Sequence, residues 1–196
     1  IGSDPGWMLM SFESYIDPVL DQLRRALRSV DPGDFDRARE LMLGAERIFV
    51  AGRGRAGLQM QAFAMRLMHL GLAVHVVGDV TTPGIASGDI LVVGSGSGRT
   101  SSLVQFARLA HERQVPVVLI TAALASPIHP YAACIVRIDA PTPKIDEAQA
   151  YQSSILPMGT VFEQALGLLS DLLVLALMRD LDVDGAQMFR RHANLE

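Results

Sequence analysis

The sequence predicts an α/β fold: a three-layer αβα sandwich on a central five-stranded parallel sheet, with extra N- and C-terminal helices. Three observations predict it. From Arg47 onward, short β-rich runs alternate with helix-patterned stretches, and strands that alternate with helices form parallel sheets covered on both faces. Two of those runs pass directly through glycine-rich segments into helices, the arrangement that places ligands at the carboxyl ends of parallel strands. The 196 residues are 49% hydrophobic and 19% charged, which is enough apolar surface for one packed domain of ordinary size.

The elements follow in order. Ile1 to Asp4 shows no basic start before an apolar core, so no signal peptide is expected and these residues read as an expression remnant. Leu9 to Leu43 carries apolar positions at helical spacing, among them Ile16, Leu20, Leu23 and Leu27, and Asp31-Pro32-Gly33-Asp34 breaks the stretch into two helices. Residues 1–45 are thus expected to be N-terminal helices packing on the core and residues 46–196 the main unit, together one structural domain. The strands are expected at Ile48–Ala51, Val74–Val77, Ile90–Val93, Val117–Thr121 and Ile135–Ile138. Asp139 to Pro157 turns polar and proline-bearing and reads as a long loop, a length often associated with function. A helix from about Met158 to Met178 follows, then a short one from about Asp184 to Arg191. The apolar stretch Ala165 to Met178 is interrupted by Ser170 and Asp171 and is shorter than the ~20 residues of a membrane span. Its helix is apolar on nearly every face, which requires burial all round; a subunit interface would supply it, so an oligomer is expected.

Composition narrows the partners. Lys and Arg total 17 against 21 Asp and Glu, a net charge of -4, so there is no general positive field to collect nucleic acid or anionic lipid, and any anion must bind locally. Cys134 is the single cysteine; it excludes an intrachain disulfide, reads as a buried filler in an apolar run, and agrees with a reducing, cytoplasmic compartment. His69, His75, His111 and His129 show no ligand spacing, so no metal site is indicated.

Four segments carry chemistry. Ile48 to Gly57 runs from a strand through Gly52-Arg53-Gly54-Arg55-Ala56-Gly57 into a helix expected from Leu58 to Leu70. Glycines let a ligand approach the backbone and helix-start amides face an anion, so a sugar or phosphate site fits; a dinucleotide site with Asp79 on a ribose hydroxyl, or a purely structural turn, fits the same pattern. Val92 to Ser102 repeats the strand-loop-helix plan with Ser95-Gly96-Ser97-Gly98-Arg99-Thr100. This loop offers what a phosphate dianion needs, namely converging backbone N–H groups, hydroxyl donors and the positive end of a helix. A flexible linker would not be wedged between a buried strand and an amphipathic helix, and the Gly-Lys-[Ser/Thr] ending of a P-loop is absent. Two glycine loops at two strand ends favour a phosphorylated sugar over a dinucleotide. Glu163 lies in the first turns of an otherwise apolar helix, where it reads equally as a base or as a satisfied helix-start carboxylate. His192, in the terminal Phe189 to Glu196, reads as a proton carrier or as part of a loose tail.

These segments resemble the 6-phospho-3-hexuloisomerases of the sugar isomerase (SIS) domain superfamily, over most of the chain. The resemblance rests on Phe63 to Gly71, Val77-Gly78-Asp79 with Thr82-Pro83, Ser95 to Thr100, Pro157-Met158-Gly159-Thr160 with Phe162-Glu163, and Arg191-His192-Ala193-Asn194-Leu195. It implies a homotetramer of flavodoxin-like subunits that interconverts 3-hexulose 6-phosphate and fructose 6-phosphate in formaldehyde fixation or pentose supply, with no cofactor. It also implies that Leu195-Glu196 is native. By the same resemblance Ser95, Gly96, Ser97, Gly98, Arg99 and Thr100 bind substrate and Glu163 is the proton acceptor. For the ketone shift so implied, His192 reads as a shuttle of the proton between the two oxygens, in its own or a neighbouring subunit, and Arg55 equally as a group that neutralises developing charge or as a surface arginine. Where the family has Gly-Arg-Ser-Gly, this chain has Gly54-Arg55-Ala56-Gly57, which removes one substrate-facing hydroxyl at Ala56. An aldose-ketose isomerase acting on another sugar phosphate, such as arabinose 5-phosphate, or a non-catalytic sugar-phosphate sensor, would keep the same fold.

Overall fold

The structure is a computed structural model and describes residues 11–146 and 154–195. The expectations for Ile1 to Asp4, for the helix start at Leu9, for the middle of the Asp139–Pro157 loop and for Glu196 lie outside the described residues.

Two helices come first, α1 (Phe12–Arg28) and α2 (Pro32–Leu43). The Asp-Pro-Gly-Asp break between them is a helix start: the Asp31 carboxylate accepts from the Gly33 and Asp34 amides, and Pro32 occupies the first turn, where its missing N–H costs nothing. Strands β1 (Ile48–Gly52), β2 (Val74–Val76), β3 (Ile90–Gly94), β4 (Val117–Thr121) and β5 (Cys134–Arg137) form one sheet in the order β2-β1-β3-β4-β5, every neighbouring pair parallel. All five expected strands are present, Val117–Thr121 with the expected ends and the others with ends moved by a residue. Between them run α3 (Gly54–Leu70) and α4 (Ser101–Glu112), and after β5 come α5 (Thr160–Asp180) and α6 (Gly185–Phe189).

Strand residues alternate between two cores because successive side chains point to opposite faces. Ile48, Val50, Ile90, Val92, Val118 and Ile120 join α2, α3 and α5 on one face. Phe49, Ala51, Leu91, Val93, Val117 and Leu119 join α4 on the other. The N-terminal helices pack on this body, α1 against α5 and α2 against β5 and α5.

Helix α5 is longer than the apolar stretch suggests and has the length and composition of a membrane span, with mean hydropathy 1.8. Packing against α1, α2 and α3 accounts for much of that character, since nine of its residues, from Val161 to Leu177, are buried. The expectation of burial all round is not met within one chain: Leu168, Leu172 and Leu175 on its outer face are exposed, as are Leu58, Met65 and Met68 on α3.

Candidate active site

In the order β2-β1-β3-β4-β5 the chain winds in opposite directions from β1 and β3, and open α/β sheets bind ligands at the carboxyl ends of such a pair. Both glycine segments sit there. Helix α3 begins at Gly54, earlier than the expected Leu58, so Arg55 and Ala56 lie in its first turn. The outer glycines of Gly-x-Gly-x-x-Gly serve packing: a Cβ on Gly52 would lie 2.8 Å from the Gly57 Cα, so strand and helix touch backbone to backbone.

The β3–α4 loop is built from its own hydroxyls. The Gly98 amide donates to the Ser95 carbonyl and to Ser95 Oγ, both at 3.2 Å, and the Arg99 amide donates to Ser97 Oγ at 3.3 Å. Both serines are buried. Each Oγ therefore has an acceptor site engaged, while its O–H finds no acceptor among the described residues. The Gly96 carbonyl accepts from the Ala122 amide (3.0 Å) and from the Thr121 hydroxyl (3.1 Å). Because a trans peptide holds its N–H opposite its C=O, the Ser97 amide is turned away from β4. Thr100 is the N-cap of α4, yet its side chain makes no capping bond, so its hydroxyl and the first helical amides remain for a ligand.

These groups line a cleft of about 390 Å³. Arg55, Ala56, Ser95, Gly96, Ser97, Thr100 and Glu163 meet in it. Across from the loop, Glu163 lies in the first turn of α5, its amide bonded to the Gly159 carbonyl. Arg55 Nε pairs with Glu163 Oε2 at 2.8 Å, which ties the start of α3 to the start of α5; the Glu163 side chain is 20% exposed and that of Arg55 57%. The lining also includes Arg53, Thr142 and Lys144, which sequence reasoning missed. A signal was present: Lys144 is the single lysine in a chain with sixteen arginines, on the segment after the last strand, at the same sheet edge. With Arg53, Arg55 and Lys144 against Glu163, the cleft is locally cationic in a chain of net charge -4.

Three expected site residues fall elsewhere. Gly98 and Arg99 shape the loop but do not line the cleft, and the Arg99 side chain is exposed. His192 stacks on His69 with ring centroids 5.5 Å apart, while Arg191 Nη1 donates to the His69 carbonyl at 3.0 Å. His69 ends α3 and Arg55 starts it, so His192 stands roughly 20 Å along the helix axis from its own chain's cleft. Of the two places expected for His192, its own cleft or a neighbouring subunit's, the single chain does not bring it to its own: the tail turns back over the far end of α3. Burial, then the Arg66 guanidinium and His192, push His69 below the usual histidine value. Among the described residues no group of three or more His, Cys, Asp or Glu side chains is arranged to hold a metal ion.

The SIS domain family matches residues 41–167. A 3-hexulose-6-phosphate isomerase from Bacillus subtilis is 38% identical over 187 residues, covering 95% of this chain and 100% of that one. One from Mycobacterium gastri is 37% identical over 178 residues, covering 91% and 88%. A crystal structure from Methanococcus jannaschii, for which a 3-hexulose-6-phosphate isomerase function is inferred, superposes with a TM-score of 0.79 at 29% identity, covering 93% of this chain and 99% of that one.

Proposed function

The chain belongs to the SIS domain family, and from that premise we propose that it is an isomerase interconverting D-arabino-3-hexulose 6-phosphate and fructose 6-phosphate without metal or nucleotide. The observation that carries this reading is one cleft that holds a phosphate-suited loop on one side and, as the one carboxylate among its described lining residues, Glu163 on the other.

The phosphate takes the Ser95, Ser97 and Thr100 hydroxyls and the α4 amides, which fixes the distance from C6 to the reacting carbons. Glu163 removes the C2 proton made acidic by the C3 ketone, and the electron pair moves to O3 to give a cis-enediolate. As the O2–H proton leaves and the C2 carbonyl forms, Glu163 returns its proton to C3. One carboxylate serves both steps because C2 and C3 present the proton on one face. Arg55 and Lys144 offset the enediolate charge, in a cleft where such charges are worth more than in water.

The exposed apolar faces of α3 and α5 support a homo-oligomer, in keeping with a tetramer, and the position of His192 supports its delivery to a neighbouring subunit's cleft, where it would shuttle the proton between O2 and O3. Light scattering that finds a monomer at fully active concentrations would count against both. Of the expected N-terminal unit 1–45, the described residues 11–45 are read as helical additions to the SIS unit of 46–196, and the buried, lone Cys134 supports a cytoplasmic setting.

The test is the position of deuterium. Fructose 6-phosphate incubated with the protein in D₂O should gain deuterium at C3. Labelling at C1 would assign an aldose-ketose isomerase instead, and absence of both label uptake and isomer formation with every hexulose and pentulose phosphate offered would leave binding without catalysis.

A further inference from the structure

Beyond the cleft, a hydrogen-bonded pair stands directly under the loop. Ser126 Oγ lies 2.8 Å from His129 Nδ1 and accepts from the Ile128 amide at 3.3 Å, so the hydroxyl is fixed from two sides in the turn after β4. That fixed oxygen abuts Gly98. A Cβ on Gly98 would lie 2.2 Å from Ser126 Oγ and 2.6 Å from its Cβ, and Gly98 holds a left-handed φ of +59°. The residue that turns the phosphate loop thus rests on the Ser126 side chain. On the same edge, Thr121 and Ala122 hold the Gly96 carbonyl, so the loop is pinned at two points by the segment after β4, and Ser97 lies between them.

Neither Ser126 nor His129 lines the cleft. The pair is nevertheless partly buried and chemically matched: a neutral imidazole accepts from the serine O–H, which leaves the oxygen's lone pairs toward Ile128 and Gly98. Burial favours that neutral ring, against a hydrogen bond to the Ala123 carbonyl that favours the charged one.

We propose that Ser126 and His129 are positioning residues for phosphate: the hydroxyl fixed by the imidazole props Gly98 and so holds the Ser97 and Thr100 donors at the spacing that a phosphate monoester dianion requires. The inference rests on the reading of this loop as the phosphate site. It assigns Ser126 and His129 to substrate affinity and leaves proton transfer to the cleft.

The experiment titrates inorganic phosphate and fructose 6-phosphate into the wild-type protein and three variants by calorimetry, with kcat and KM measured alongside. Ser126→Ala and His129→Ala should each weaken both ligands by about fivefold, the loss expected when one hydrogen bond stops organising a site, while kcat at saturation stays within about twofold. His129→Asn, whose amide oxygen sits near the place of Nδ1 and accepts from Ser126, should restore most of the affinity. A merely structural pair would lower the melting temperature without changing phosphate affinity, and that result overturns the proposal, as does wild-type affinity in a folded Ser126→Ala protein. Should His129→Ala fail to fold, Ser126→Ala decides alone, because it removes one hydroxyl. If the wild-type protein binds neither ligand, the phosphate reading of the loop fails first and this inference falls with it.

Discussion

Glu163→Gln separates chemistry from architecture. The substitution keeps the shape of the side chain and a hydrogen-bonding oxygen toward Arg55, and it removes the basic lone pair. The Arg55–Glu163 pair is short at 2.8 Å, but Arg55 is 57% exposed, so solvent screening limits its contribution to at most about 1 kcal/mol. For a chain of this size that corresponds to a melting shift of about 2–4 °C. The catalytic loss works out differently. General-base catalysis contributes roughly 10²–10⁴ in rate, or about 2.7–5.4 kcal/mol of barrier, several times the stability term. The variant should therefore melt close to the wild type while kcat falls at least about a hundredfold. KM should change little, because the phosphate donors lie on another loop. Differential scanning fluorimetry reads the first quantity and coupled conversion of fructose 6-phosphate the others. Proton exchange decides the assignment: if Glu163→Gln exchanges the substrate carbon-bound proton with solvent at the wild-type rate, Glu163 is not the base.

Two further outcomes follow from particular side chains. Ala56 lines the cleft in the first turn of α3, where the Gly-Arg-Ser-Gly pattern of the resemblance implies a serine; Ala56→Ser should lower KM by about fivefold, the return on one hydrogen bond of about 1 kcal/mol, and an unchanged KM would show that substrate does not reach this turn. Burial holds His69 and His129 below the usual histidine value in the folded chain, His69 also through Arg66 and His192, while in the unfolded chain both titrate near pH 6.5. The unfolded state then binds more protons, so their contribution to stability is complete above about pH 6.5 and is lost as pH falls through their lowered folded values. Urea midpoints should fall from pH 7 to pH 5, and less steeply in a His69→Gln protein; equal slopes would refute the assignment.

The fold was legible because its signals are local. Each strand is a run of apolar residues that two helical layers bury on both faces, so the run itself marks the element, as Val117–Thr121 shows with all five residues buried. The Asp31 cap lies in the residues it caps. The start of α3 was misplaced because Gly52 to Gly57 looks like a loop in sequence, whereas the close contact of Gly52 with Gly57 draws the first turn of the helix onto the strand. Within Gly-x-Gly-x-x-Gly the segment divides: Gly54, Arg55 and Ala56 line the cleft, while Gly52 and Gly57 pack against each other.

The candidate cleft was legible where one segment carries both scaffold and lining, as Ser95, Gly96, Ser97 and Thr100 do, and illegible where the partner is distant in sequence. Lys144 reaches the cleft from the segment after β5, and Ser126 meets Gly98 across 28 positions of chain, contacts that only the sheet order creates. His192 makes the same point in reverse. Its residue type and terminal position suggested proton transfer, but in one chain its imidazole lies against His69 at the end of α3 opposite Arg55. The same helix leaves Met65 and Met68 exposed beside the open Leu168, Leu172 and Leu175 face of α5. Burying that face against a second copy would bring another chain's residues near the far end of α3. The role proposed for His192 is therefore tied to assembly: in one sample, light scattering reads the oligomer and His192→Ala should lower kcat only where that oligomer is present.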